Sequence, residues 1–114
     1  MRMNAERSNI DHQQIVSAGG SSGGYLAAAT ATVSDFALSE TASITNSLPN
    51  AVVLFNPALA NKFPRVADSL SPTAQLKYGS VPTFVVHRNK DTVETYASAV
   101  AYCDKLKSLE GHWE

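Results

Sequence analysis

Residues 15–31 read IVSAGGSSGGYLAAATA, and the order of residue types in this stretch decides the fold. Gln14-Ile15-Val16-Ser17-Ala18 is a short β-branched run ending in glycines, the pattern of a buried strand. From Tyr25 the run YLAAATATVSDFAL is rich in alanine, which favours helix, and its small side chains allow close packing of helix on sheet. Between the two, Gly19 to Gly24 reads as a tight turn. Its first five residues, Gly19-Gly20-Ser21-Ser22-Gly23, fit the pattern G-x-S-x-G with Ser21 in the middle.

A strand that turns straight into a helix leaves the middle serine on strained backbone and lifts its hydroxyl above the sheet edge. A substrate carbonyl can reach it there. Side chains two residues away on either side would run into the strand and helix, which accounts for Gly19 and Gly23. The N–H of Ser22 stands at the helix N-terminus, aimed at a developing oxyanion. Ser22 also carries a hydroxyl, but Ser21 alone has glycine at both −2 and +2. A glycine-serine turn without chemistry is the plain alternative. A phosphate-cradling loop fits less well, since no glycine stands two after Gly19 and no Gly-Lys-Ser/Thr follows.

Outward from this stretch, Ala51-Val52-Val53-Leu54-Phe55 is an apolar run of strand length ended by Asn56-Pro57. Residues 39–50 are rich in Ser, Thr, Asn and Pro and read as a surface loop. Residues 58–80 are irregular, with a turn at Leu70-Ser71-Pro72 and a short helical turn through Ala74 to Leu76. Pro82 to His87 is a third strand, its proline at the tolerated first position. Residues 93–109 form an amphipathic helix, with Tyr96, Val100, Cys103 and Leu106 on one stripe. Lys105 and Lys107 suit its negative end, and Gly111 suits its stop. Residues 1–12 are the tail of a helix or a loop. The order strand, helix, strand, irregular connection, strand, helix predicts an α/β fold: a parallel sheet of about three strands flanked by helices, covered on both faces, with right-handed crossovers.

The bulk properties narrow the function. The chain has 114 residues, enough for one small domain. Charged residues make up 17%, against the usual ~25%, so the composition resembles the inside of something larger. The formal net charge is −1, and no basic stripe offers a nucleic acid partner its phosphate track. No apolar run approaches the ~18 residues of a membrane span, and the opening MRMNAERSNI lacks the apolar core of a signal peptide. The single cysteine, Cys103, has no partner for an internal disulfide and reads as a buried structural thiol. No metal site and no cofactor are called for.

The three apolar pieces together resemble a family. The run IVSAGGSSGGYLAAATA resembles the nucleophile elbow of the acetyl esterase and lipase-like α/β-hydrolases, including the feruloyl and acetyl esterase group. VVLFNPAL (52–59) resembles the strand after the elbow helix. LSPTAQLKYGSVPTFVVHRNKDTVETYASAVAYCDKLKSLEGH (70–112) resembles the segment with the acid strand and its following helix. The resemblance implies a serine hydrolase of small-molecule carboxylic esters acting through an acyl-enzyme, with Ser21 as nucleophile, Gly19, Gly20, Ser22 and Gly23 forming the elbow and oxyanion site, and Asp91 as triad acid. That acid would fix a histidine's tautomer and stabilise the imidazolium. Asp91-x-x-Glu94 before a helix is also a capping-box pattern. Arg88 stands where the family usually has glycine, and Thr95 near its usual proline. A prolyl oligopeptidase-type peptidase shares the same elbow and acid order.

A triad also needs a base. The histidines are His12, His87 and His112. His12 precedes the elbow strand at its far end. His87 matches a family position beside the acid loop, not the catalytic one. In the family the catalytic histidine follows one more strand beyond the segment matched by residues 70–112. The expectation is therefore a single partial α/β-hydrolase domain over residues 1–114. It would lack the N-terminal strands with the oxyanion loop and the C-terminal strand with the catalytic histidine. A non-catalytic remnant or interaction module is the alternative from another class.

Overall fold

The structure, a computed structural model, describes residues 2–33, 48–60 and 68–114. After a 3-10 turn at Arg2–Asn4 come α1 (Ala5–Ser8), β1 (Val16–Ser21), α2 (Ser22–Thr32), β2 (Ala51–Pro57), a second 3-10 turn at Asp68–Leu70, β3 (Thr83–Val86) and α3 (Tyr96–Ser108). The three strands form one parallel sheet in the order β1-β2-β3. This is a partial α/β fold of the expected kind. The expected loop over residues 39–50 lies mostly outside the described residues, as does the far end of the predicted alanine helix beyond Val33.

The buried face is built from alternate strand positions. Val52 and Leu54 of β2 are buried, and Val85 of β3 packs against the same cluster. Ala27, Ala28 and Ala31 of α2 lie on them, with Leu59, Leu76, Tyr102, Cys103 and Leu106 completing the core. Alanine at three successive contact positions lets α2 approach the sheet closely, as its composition predicted. Lys105 of α3 donates from Nζ to the Thr73 and Ala74 carbonyl oxygens at 2.7 and 2.8 Å, tying the irregular segment to the helix end. Cys103 is a buried thiol, and burial pushes its pKa up.

Two expectations are corrected here. Among the described residues the sheet is covered on one face, not both: Val16, Phe55, Phe84 and Val86 are exposed large hydrophobics on the alternate strand positions. Strand order follows chain order, and the described parts of the connections, α2 with Leu59 and Leu76, pack into the same core as α3, as right-handed crossovers predict. The buried stripe of α3 is Ala99, Tyr102, Cys103 and Leu106, not one with Tyr96 and Val100. Those spacings still follow the helix period, rotated by one position toward the alanine.

Candidate active site

The predicted turn from Gly19 to Gly24 is tighter than a six-residue loop. Gly19, Gly20 and Ser21 still belong to β1, and α2 starts at Ser22. The whole reversal falls on Ser21, with φ 52° and ψ −123°. For a residue with a Cβ this is strained backbone, and such strain gathers where the surrounding structure over-determines it. Ser21 is exposed and its side chain caps nothing in α2. Its carbonyl oxygen accepts from the Ala58 N–H at 3.0 Å, which anchors the bend to the end of β2. Ser22 is the first residue of α2, so its N–H belongs to the unpaired set at a helix start.

The glycines divide differently from the sequence reading. A Cβ on Gly19 would meet the Gly23 carbonyl, and Gly20 has only a 3.4 Å approach to the Phe55 carbonyl oxygen. Gly23, expected to relieve a collision, has open space around its Cβ position. The close approach is at Gly24, where a Cβ would sit 2.8 Å from the Pro57 Cβ and 3.1 Å from the Gly19 carbonyl oxygen. The doublet Gly23-Gly24 carried that signal, but only packing says which member is pressed against β2.

Asp91 lies in the loop after β3, at the same strand-end edge as Ser21. Its Oδ1 accepts from the Val93 and Glu94 N–H groups at 2.8 and 2.9 Å. Its Oδ2 accepts from Asn56 Nδ2 at 2.6 Å. The Glu94 amide, then the Asn56 side chain and the Val93 amide, lower its pKa from 3.8 to about 2, with burial opposing and the nearby His87 charge adding a little. The capping-box alternative does not hold for α3. That helix begins at Tyr96 with Thr95 as its cap and no capping side chain, so Asp91 closes a turn ahead of it.

The histidines separate cleanly. His112 offers its carbonyl oxygen to the N–H of Thr83, the first residue of β3, and Glu114 bonds on to Thr83 and Val85. With the bridge from Trp113 to Thr83, these residues run parallel to β3 from its starting end, opposite the edge that holds Asp91. Four strand residues separate the two edges, about 13 Å at ~3.3 Å per residue. His12 precedes β1 at that same far edge. His87 sits at the end of β3, half-buried, its Nδ1 3.0 Å from the Arg88 carbonyl oxygen and its ring edge-on to Tyr96 at 5.9 Å. Among the described residues no group of three or more His, Cys, Asp or Glu is placed to hold a metal ion. No helix among them is long and apolar enough to cross a membrane.

The chain as a whole has structural counterparts among solved proteins. Thermogutta terrifontis esterase 2 phosphoramylated by tabun superposes with a TM-score of 0.87 at 27% identity, over 99% of this chain and 46% of that one. The butyrate-bound form of Est2, a thermophilic esterase of this Planctomycetes species, gives 0.86 at 27% identity, covering 99% and 48%. The chain resembles an esterase. The apo form of esterase 2 agrees, at TM-score 0.85 and 27% identity. This chain thus spans about half the length of these esterases. The likeness to esterase-type α/β-hydrolases drawn from the residues is met by these structures, along nearly the whole of the chain. No protein-family model matches the sequence, and no curated protein matches it.

Proposed function

We propose that this chain supplies the nucleophile and acid half of a serine esterase. Ser21 attacks the ester carbonyl and forms an acyl-enzyme, the Ser22 N–H takes the oxyanion, and Gly19 and Gly20 let the elbow form beside Gly23. Asp91 orients the imidazole that draws the serine proton. The observation that carries this reading is the conformation of Ser21, an exposed residue at φ 52° between a parallel strand and a helix. The neighbours support an ester over a peptide bond, since the protein they represent is named an esterase and one form is butyrate-bound. That protein is also phosphorylated by paraoxon, a reaction that suits an activated nucleophile.

The base belongs to a part of the domain outside the described elements. His112 to Glu114 run parallel to β3 toward the Asp91 edge, and a histidine carried past the end of such a strand would arrive beside Asp91. These 114 residues span about half the length of esterase 2, and with none of their three histidines at the Asp91 site in the catalytic role they turn over p-nitrophenyl butyrate negligibly by themselves. Substituting residues 2–114 for the matching portion of Thermogutta terrifontis esterase 2 tests the assignment. The hybrid should hydrolyse p-nitrophenyl butyrate and lose on the order of 10⁴–10⁶ in rate on Ser21→Ala. Hydrolysis that survives Ser21→Ala would refute the reading.

A further inference from the structure

β1 and β2 pair in register from Val16 with Ala51 to Gly20 with Phe55, and then Ser21 pairs with Pro57. Asn56 is the extra residue. It has φ 44°, so the strand carries a bulge at the level of the Ser21 bend. Bulges beside active sites re-aim side chains, and asparagine is among the few residues that tolerate this backbone. Glycine would hold the bend with less strain, so the side chain itself must account for the asparagine. Its amide donates 2.6 Å to Asp91 Oδ2, across from β2 to the loop after β3.

We propose that Asn56 is a positioning residue for the triad acid. The bulge at the end of β2 aims its amide at Asp91 and sets the rotation of the carboxylate. This rests on the reading of Ser21 and Asp91 given above. Asp91 Oδ1 is already occupied by the Val93 and Glu94 N–H groups, which fix the carboxylate at one end. Among the described residues Oδ2 takes only Asn56, which leaves this oxygen a lone pair for an imidazole N–H. Asn56 therefore determines which way the receiving oxygen faces. Since the nucleophile and the amide sit at the same register break, one local irregularity sets both the serine bend and the acid.

The other groups around Asp91 are His87 from the end of β3 and the backbone of its own loop, with Lys90 and Arg88 preceding it in the chain and Glu94 following. Hydrogen bonds to the ionised form lower its pKa, so their support is present above 3.8 and is lost as pH falls toward about 2. The test is a carbon-detected NMR titration of the Asp91 carboxyl in the purified 114-residue chain. Asn56→Gly keeps the left-handed bend and removes the amide, and it should raise the Asp91 inflection by about one unit. Asn56→Asp keeps the size but brings a second carboxylate, and it should raise the inflection of the pair further. An Asp91 inflection unmoved in both variants overturns the proposal. Capture of Ser21 by paraoxon in the hybrid with esterase 2, which supplies the imidazole, reads the underlying assignment separately. An uncaptured Ser21 beside a shifted Asp91 would remove the triad, and with it the catalytic purpose of a bond that the titration still detects.

Discussion

The two edges of the sheet are built from different materials. At the edge where the strands end, Ser21 and Asn56 have φ 52° and 44°, Gly24 lies against Pro57, and Asp91 is held by three hydrogen bonds. At the edge where they start, positive φ in described residues other than glycine is confined to helix ends outside the sheet, Asn9 at 49° after α1 and Glu110 at 57° after α3, and the strand starts are tied by ordinary bonds. Asn50 Oδ1 accepts from the Ile15 N–H at 3.0 Å and from Arg2 at 3.1 Å, and Arg2 also reaches the Leu48 carbonyl oxygen. Strain of about 1–3 kcal/mol per such residue persists only where neighbours enforce it. Within the strands themselves such backbone occurs only at the edge that carries the proposed site, at Ser21 and Asn56.

The sharpest way to break this contrast is Gly19→Ala. Its Cβ would meet backbone atoms of Gly23, which cannot yield as a flexible side-chain end can. A loss of about 3 kcal/mol in urea unfolding is expected. A loss near zero would mean that the elbow is not packed this tightly. Next comes a pair of opposite signs. Asn50→Ala should cost about 1 kcal/mol through its lost bonds to Ile15 and Arg2. Ser21→Gly should gain slightly less than 1 kcal/mol, because glycine accepts the left-handed bend freely. If both substitutions destabilise alike, the two edges do not differ in strain.

Much of the fold was legible because it rests on local patterns. The runs at 14–18, 51–55 and 82–87 mark strands that the structure places in one parallel sheet, and the alanine run marks a helix packed on it. Which face is covered was not legible. Val52-Val53-Leu54-Phe55 is apolar at every position, yet Leu54 is 0% exposed and Phe55 49%. The α3 stripe was shifted because Ala99 carries little hydrophobic weight in a pattern, while Tyr96 turns to His87 instead of the core. At the proposed site, Ser21 was singled out by the G-x-S-x-G pattern and Asp91 by the family resemblance. Asn56 and Gly24 were not, since their roles depend on contacts across strands, with Asp91 35 residues away in one case and Pro57 in the other.

The central claim is that the hydroxyl at position 21 is presented for attack by the bend itself. Incubating the hybrid with esterase 2 with paraoxon and mapping the adduct by peptide mass spectrometry tests it most directly. The reaction should give a single phosphorylated residue in the elbow peptide, Ser21, with Ser22 unmodified and no adduct at this peptide in Ser21→Ala. Phosphorylation at Ser22 or at scattered exposed hydroxyls at the same rate as at Ser21 would contradict the account.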